Sequence, residues 1–374
     1  MDASGLSDIK DLAKVVHGAL YGGAADRCVD RGLAAFAIHR HRVGPLVQMA
    51  VAAGRAQADE DAAILLSSEW QNNRRRCALQ QISLRRIAGA LEAADISFAF
   101  FKGLGLAEAL YPAPEWRHSG DIDVLITPHA WSRTIEALKA ARFAISDPLL
   151  ALPPALAHLA LLVIRDIAIV DSATGRQIEI HSRLLFSPNV GAQLLKADPA
   201  LGPSIAPGKH SPHIGPGVLC YLLLHGAISG WSRLKWLVDI YAILPKLEPR
   251  ERAKTVSIAE ACGTTLAVRA GLMVARDVFP DIALGELRPW VDDGTGWPRA
   301  RRRADRYAAW LAAPSDASPN PLHDRRAALT SALLLHDGWQ SQLATLSHGG
   351  LAAGLRMAGR AMQRAQAAPD APAG

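Results

Sequence analysis

Two aspartates separated by one residue are the first feature of the sequence that indicates chemistry. They lie in the segment Ser119-Gly-Asp-Ile-Asp123, directly before an apolar run. Side chains at positions i and i+2 of a strand point to the same side, so Asp121 and Asp123 face one way together. Their repulsion and desolvation require a cation or a shared proton. A magnesium ion, which takes carboxylates and phosphate oxygens, would satisfy both, although a solvated turn can carry the same short pattern.

Polar residues that suit phosphate binding lie close to this pair. A short apolar run ends in Lys102-Gly103 and opens directly into a predicted helix, whose first amides can hold phosphate oxygens. Arg117 and Ser119 come just before the aspartates. Together these residues favour phosphoryl or nucleotidyl transfer assisted by a metal ion. The structural alternatives are that Lys102 forms a surface ion pair and that Arg117 braces the loop.

A third acid, Glu179, stands in the alternating segment Gln177-Ile-Glu-Ile-His181, which is typical of a strand. With the two aspartates it would complete a set of three carboxylates. An acid on an edge strand is also often simply solvated, and His181 can be a packing residue.

A small mixed sheet is predicted to bring these residues together between positions 95 and 198. Apolar runs bounded by glycine, proline and charged residues predict strands, and spacing of three to four residues predicts helices. The predicted elements are a strand at Ser97–Phe101, a helix at Leu104–Leu110, a strand at Asp121–Ile126, a helix at Trp131–Ala141, and strands at Leu161–Val170 and Gln177–His181. This order describes a small α/β domain.

Helical regions are predicted on both sides of this domain, at residues 1–94 and 218–365. The fold class is therefore α+β, a small mixed-sheet domain between two helical regions. The last N-terminal helix is predicted over Asp59–Ala93, with residues 72–76 on exposed turns and with Leu79, Ile82, Leu84, Ile87 and Leu91 packing inward. Pro199–Gly217 is predicted to be a linker, and residues 366–374 a disordered tail.

The bulk composition indicates a globular protein. Half of the 374 residues are hydrophobic, which is enough for one large or two to three modest cores. The most apolar segment, Leu149–Val170, is interrupted by prolines and charged residues, so no membrane span is predicted. The first ten residues lack a basic and then apolar export signal, so we expect a cytoplasmic protein. Four separated cysteines with no CxxC pair argue against zinc and predict buried free thiols.

The net charge of +6 suits an anionic partner such as a nucleotide, but the excess is small for this length. Arginine clusters at residues 299–306 and 356–364 resemble a nucleic-acid patch. Charge runs are usually solvated faces, so nucleic acid is not the expected partner.

Several motifs, taken in order and spacing, resemble the uncharacterised nucleotidyltransferase family, within the superfamily of polymerase-β-like nucleotidyltransferases. They cover about residues 75 to 245. The motifs are Phe101-Lys-Gly103, Leu110-Tyr-Pro112, Arg117-x-Ser-Gly-Asp-Ile-Asp-Val-Leu125, Ile178-Glu-Ile-His181, and His225 with Trp231-Ser-Arg-Leu-Lys-Trp-Leu-Val-Asp-Ile240.

The resemblance implies a role for each matching residue. Asp121, Asp123 and Glu179 would be the catalytic metal ligands, and Glu179 would help to deprotonate an attacking hydroxyl. The implied cofactor is Mg²⁺, with Mn²⁺ as a substitute, acting in two-metal chemistry on a nucleoside triphosphate. Residues implied to bind the nucleotide are Lys102, Gly103, Arg117, Ser119, Gly120, His225 and Lys235. Lys102 and Gly103 stand where better-known relatives have a Gly-Ser pair.

The segment from His225 to Asp239 is predicted to line the cleft, because Ser232, Lys235 and Asp239 fall on one helical face. Lys235 and Asp239 can alternatively form an ion pair with each other. Trp231 or Trp236 can stack on a base or belong to the core.

The acceptor is expected to be a hydroxyl or an amine on a small molecule, peptide or protein. Two other readings stay open. One is an inactive protein that keeps the nucleotidyltransferase fold, which the presence of all three acids argues against. The other is a helical scaffold that binds nucleic acid.

Overall fold

A five-stranded mixed sheet lies between two sets of helices in this computed structural model, which describes residues 3–25, 27–185, 187–203, 214–313 and 335–367. The predicted α+β class is confirmed. In the described part of the chain, no helix is both long and apolar enough to cross a membrane.

The N-terminal region is mainly helical, as predicted. Two very short parallel strands that the pattern did not predict also occur here, β1 (Cys28–Val29) and β2 (Gln57–Ala58). A π-helical turn at Phe36–Arg40 leads into the loop before the third helix. The helices are α1 (Ala3–Tyr21), α2 (Arg31–Ala35), α3 (Gly44–Ala52) and α4 (Glu60–Ala93).

Helix α4 begins close to its predicted start, because the Asp59 side chain accepts a hydrogen bond from Ala62 N–H and caps the helix. The predicted exposure of residues 72–76 is wrong at Asn73, which is fully buried. The predicted inward position of Ile82 is also wrong, since this side chain is 47% exposed. Polar side chains of α4 face another segment of the chain, and hydropathy alone could not show this.

That segment is the loop that carries the aspartates. Asn73 Nδ2 donates to Glu115 O at 2.6 Å, and Gln80 Nε2 donates to Asp121 O at 3.3 Å. Buried backbone carbonyls need such donors, because water cannot reach them. Helix α4 therefore positions the loop from residue 115 to residue 121.

The five-stranded sheet has the order β3-β4-β7-β6-β5. Strands β4 and β7 pair in parallel, and the other neighbours pair antiparallel. The parallel register places Asp123 directly beside Glu179. The strands are β3 (Phe98–Phe100), β4 (Ile122–Ile126), β5 (Phe143–Ile145), β6 (Asp166–Asp171) and β7 (Arg176–His181).

Helices α5 (Gly103–Leu110), α6 (Trp131–Ala140) and α7 (Pro154–Val163) accompany the sheet. The predicted strand at 161–170 is wrong in its first part, because α7 continues to Val163 and β6 begins only at Asp166. Strand β5 and helix α7 were not predicted. Proline at the first turn suits the start of α7, and a short apolar run does not distinguish a buried helix from a buried strand.

The rest of the described chain is helical. The helices are α8 (Pro188–Ala197), α9 (Pro216–Ile228), α10 (Leu234–Ile243), α11 (Pro249–Ala261), α12 (Thr265–Val278), α13 (Arg288–Asp292), α14 (Trp297–Leu311) and α15 (Trp339–Ala367). The predicted linker lies partly outside the described residues, and its last two residues already belong to α9. The predicted tail is wrong at Gln366 and Ala367, which belong to α15, and its other residues lie outside the described part.

Two apolar cores hold these elements. One core joins the N-terminal and C-terminal helices, with Ile9 of α1 and Leu223 of α9 among its members. The other joins the sheet to α4, α6 and α7. Trp231 is fully buried in the first core. Of the four free cysteines three are buried as predicted, but Cys28 is exposed.

Gly226 of α9 packs directly on the Trp231 indole. A Cβ at this glycine would lie 2.5 Å from Trp231 Cη2, and the buried indole has no room to move. We expect Gly226→Ala to lower the free energy of unfolding by about 1–3 kcal/mol, as overpacked cores do. The control is Gly89→Ala in α4, where a Cβ would meet no described atom within 4 Å and should stabilise the helix by about 0.5–1 kcal/mol. Urea denaturation of both variants measures these changes. Equal changes of the free energy of unfolding in the same direction would contradict the prediction.

Candidate active site

A cavity of about 170 Å³ opens where the start of α5, the loop before β4 and helices α9 and α10 meet. Eight of the ten predicted site residues line it, together with five residues that were not among those ten. The lining residues are Lys102, Gly103, Arg117, Ser119, Asp121, Asp123, Leu222, His225, Ser229, Arg233, Lys235, Trp236 and Asp239. Gly120 is exposed on the turn and is not among them, and neither is Glu179.

Asp123 is the most heavily contacted acid of the site. Its Oδ1 lies 2.7 Å from Lys102 Nζ and 3.0 Å from His181 Nε2, and the side chain is 3% exposed. Burial alone would raise the pKa of Asp123, but Lys102 and His181 outweigh it and hold the pKa well below its ordinary value. Asp123 is therefore ionised, and His181 must donate its Nε2 proton.

Asp121 shows the opposite behaviour. The negative charge of Asp123 raises its pKa, burial raises it further, and Glu179 acts in the same direction. Its backbone carbonyl accepts hydrogen bonds from Ser119 Oγ at 3.1 Å and from Gln80. The negative charge of Asp121 is thus less favourable than that of Asp123, although the charges of Lys102 and Lys235 partly offset the repulsion.

Glu179 faces the same side of the sheet as Asp123. Its Oε2 lies 3.3 Å from His181 Nε2, and its side chain is 24% exposed. Asp123, Glu179 and His181 each offer one ligand atom, and these atoms lie within 4.8 Å of one another. Asp121 is not a member of this compact group, although its charge interacts with both acids. The carboxylate oxygens of Asp123 and Glu179 are donors that Mg²⁺ prefers, whereas His181, which donates from Nε2, would support these acids and not bind that ion.

The structural alternative placed Lys102 in an ion pair on the surface, but this side chain is largely buried. It is 14% exposed, and its ammonium group pairs with Asp123. Burial would lower the pKa of Lys102, but the charge of Asp123 overcomes this and raises it, so the group stays charged. Gly103 follows with φ of +63°, and a Cβ there would meet Asp121 O at 3.0 Å. Glycine is therefore required at this close approach.

Arg117 has the bracing contacts that the structural alternative predicted. Its Nε and Nη2 donate to the two carboxylate oxygens of Asp239 at 2.8 and 2.9 Å, and Nη1 donates to Gly103 O at 3.3 Å. Tyr111 Oη also donates to Asp239, at 2.7 Å. The alternative ion pair between Lys235 and Asp239 is wrong, because Asp239 is occupied by Arg117. This buried pair ties α10 to the loops that carry the acids.

Lys235 and His225 line the cavity from the two C-terminal helices. Burial and the charge of Arg117 lower the pKa of Lys235 to about 7, although Asp121 opposes the shift. Burial and the nearby charge of Lys102 lower the pKa of His225 well below its ordinary value, so the ring is neutral. The His225 ring lies against Trp236, with ring centroids 5.8 Å apart. An anionic ligand in the cavity would favour the charged form of Lys235.

Reasoning from the sequence did not assign His181 and Arg233 to the site. The signal for His181 was present, because it lies two residues after Glu179 and therefore on the same face of β7. The predicted position of Ser232 on the cleft face is wrong: α10 begins only at Leu234, so helical spacing does not apply to Ser232, whose hydroxyl donates to Ser229 O, and Arg233 lines the cavity instead. Ser229, Trp236 and Leu222 complete the wall.

Comparisons with known proteins agree with this geometry. No curated protein and no solved structure gives a significant match. The sequence profile described as "uncharacterised nucleotidyltransferase" matches residues 29–280, which is most of the chain and contains every residue that lines the cavity. This protein therefore belongs to the uncharacterised nucleotidyltransferase family.

Proposed function

We propose that this protein is a Mg²⁺-dependent enzyme that transfers a nucleoside monophosphate from a nucleoside triphosphate to an acceptor hydroxyl or amine. The acceptor would be a small molecule, a peptide or a protein side chain. One observation carries the proposal: Asp123 and Glu179 are neighbours on the parallel strands β4 and β7, and Asp121, directly before β4, lines a cavity together with Asp123, Lys102 and Lys235. Like charges held together at such a place favour a metal ion and a polyphosphate.

The three acids would hold Mg²⁺ or Mn²⁺. When bound, such ions supply charge neutralisation on the triphosphate and acidify an acceptor hydroxyl. Glu179 is the most accessible acid of the compact group and would accept the acceptor proton. His181 donates from Nε2 to Asp123 and lies 3.3 Å from Glu179 Oε2, and so it would orient the Asp123 carboxylate.

The triphosphate would lie along the start of α5. Gly103 lines the cavity at the first turn of α5, where backbone N–H groups would face phosphate oxygens, and Ser119 lies beside it. Lys102 and Lys235 would balance the phosphate charge. Arg117 would act through its contacts with Gly103 and Asp239, positioning the walls of the cavity.

Labelled substrates test the proposal. Each nucleoside triphosphate, labelled at the α or the γ phosphate, is incubated with the protein and Mg²⁺, with and without cell extract. Label from the α phosphate in a product, with release of pyrophosphate, is expected. Label from the γ phosphate would instead indicate phosphoryl transfer. If wild type and the Asp121→Ala, Asp123→Ala double variant behave alike, the proposal fails.

The same experiment separates the remaining readings. An inactive binding protein would retain nucleotide without any product or pyrophosphate. A nucleic-acid scaffold would bind oligonucleotides without Mg²⁺ and with a strong salt dependence. The arginine cluster of α14 gives little support to the scaffold, because Arg301 pairs with Asp277 at 2.6 Å and also with Asp305.

Glu179→Gln is expected to lower kcat by about 10²- to 10⁴-fold, the usual contribution of a general base. The amide cannot accept a proton, but its oxygen can still contact a metal ion and the residues that line the cavity are unchanged, so at saturating Mg²⁺ the KM for the triphosphate should change much less than kcat. Steady-state kinetics measures both quantities. Glu136→Gln on the exposed face of α6 is the matched control and should leave kcat unchanged. If the Glu179→Gln enzyme keeps its kcat, or if only its KM for the triphosphate rises, Glu179 is not the general base.

A further inference from the structure

The segment Arg40–Arg42 of the N-terminal region lies directly against the start of α10. His41 Nδ1 accepts a hydrogen bond from Leu234 N–H at 3.0 Å, and His41 O accepts one from Lys235 N–H at 3.2 Å. His41 is fully buried, so these bonds fix the two segments relative to each other. Arg42 therefore lies beside Arg233, which lines the cavity.

Positive charge accumulates at this junction. After burial, the charges of Arg42 and Arg40 are the main causes that lower the pKa of Arg233. The guanidinium of Arg233 lies over the Trp236 ring, 5.7 Å from its centroid. Within the described residues, no carboxylate lies within ion-pair distance of Arg233. Arg233 thus lines the cavity with the charge of Arg42 close by and with no described acid within ion-pair distance of Arg233.

Arg42 shares its nearby carboxylate with other basic side chains. Glu69 attracts it, but the Glu69 carboxylate lies 3.1 Å from Arg76 and 3.5 Å from His118. The buried Nε of Arg42 makes no hydrogen bond with any part of the chain that the structure describes. Its backbone has φ of +58°, the left-handed conformation common directly after a helix end, and the turn is closed by a hydrogen bond from Val43 N–H to Ala37 O at 2.9 Å.

We propose that Arg42 and Arg233 bind the terminal phosphate of the nucleoside triphosphate at the mouth of the cavity. This inference rests on the proposed function and deepens it, because it makes the N-terminal region part of the nucleotide site. A guanidinium offers paired donors that match phosphate oxygens. The site would bind triphosphates more tightly than monophosphates. Its contacts with the terminal phosphate would lie away from the acids that hold the metal ion.

Calorimetric titration with inorganic tripolyphosphate, in EDTA, tests the site on the full chain without any transfer reaction. Arg233→Gln and Arg42→Gln are each expected to weaken binding by about tenfold or more, since hydrogen bonds to charged groups are lost. Arg75→Gln on the exposed face of α4 is the control and should bind as wild type does. Arg42→Lys should recover only part of the affinity, because the ammonium lacks the paired donors.

Nucleotides then test the position of the site. ATP binding should weaken in the same variants, whereas AMP binding should not change. Tripolyphosphate or ATP binding that is unchanged in both arginine variants, with native circular dichroism, would overturn the inference, as would an equal loss of AMP binding. Failure of the proposed function is distinguishable: arginine-dependent tripolyphosphate binding without nucleotidyl transfer would reject the reaction and keep the site.

Discussion

Replacing Asp121 with asparagine is expected to abolish nucleotidyl transfer while leaving the protein as stable as wild type, or more stable. Asp123 raises the pKa of Asp121, so in the folded protein the negative charge of Asp121 is unfavourable. A neutral amide of the same shape removes this repulsion. Activity should fall by about 10³-fold or more, the scale of electrostatic groups at a reacting centre. A steady-state transfer assay and a thermal melt measure the two effects.

The melt also reports on the metal site. Mg²⁺ together with a nucleoside triphosphate should raise the melting temperature of wild type, because a ligand that binds only the folded state stabilises it. The same addition should do much less for Asp121→Asn. Asp61→Asn, an exposed acid at the start of α4, is the control and should keep wild-type activity and the ligand response. If Asp121→Asn melts well below wild type, or if it keeps its activity, Asp121 is a structural acid and not a metal ligand.

Arg117→Met should be the most destabilising change at the cavity. The guanidinium makes two hydrogen bonds to Asp239 at 8% exposure, and Asp239 itself is 1% exposed. Removing one partner leaves a buried carboxylate whose remaining described hydrogen bond comes from Tyr111. Broken buried pairs typically cost about 3–5 kcal/mol. Urea denaturation should show this loss of free energy of unfolding, and Asp239→Asn should lose a comparable amount.

An exposed ion pair provides the comparison. Arg301 in α14 contacts Asp277 and Asp305, whose side chains are 36% and 54% exposed, so Arg301→Met should cost about 1 kcal/mol or less. Combining Arg117→Met with Asp239→Asn should recover part of the single-variant losses, because no buried charge is then left alone. Losses that simply add, or an Arg117→Met variant as stable as Arg301→Met, would show that this pair does not hold α10 to the loop.

The acids could be placed from the sequence because strand geometry is local. Asp121 and Asp123 follow an alternation of two residues, and the same alternation puts Glu179 and His181 on one face of β7. The alternation of residues does not show which strands become neighbours in the sheet. The parallel pairing of β4 and β7, which sets Asp123 beside Glu179, depends on contacts across about fifty-five residues of chain.

The positioning residues could not be predicted for the same reason. Asn73 and Gln80 have the composition of a solvated helix face, and only the docking of the 115–121 loop makes them buried donors. Arg42 and His41 lie almost two hundred residues before α10, and their effect on Arg233 exists only in the folded chain. Periodicity reports on one element at a time, whereas these roles arise between elements.

A crystal structure of the protein with Mn²⁺ and a non-hydrolysable nucleoside triphosphate analogue tests the central claim most directly. Anomalous diffraction locates the ion without reference to the protein's activity. The account predicts Mn²⁺ bound by carboxylate oxygens of Asp121 and Asp123 together with phosphate oxygens of the analogue, with Glu179 facing the α phosphate. Mn²⁺ bound away from Asp121 and Asp123, or an analogue bound outside the cavity lined by Lys102 and Lys235, would contradict it.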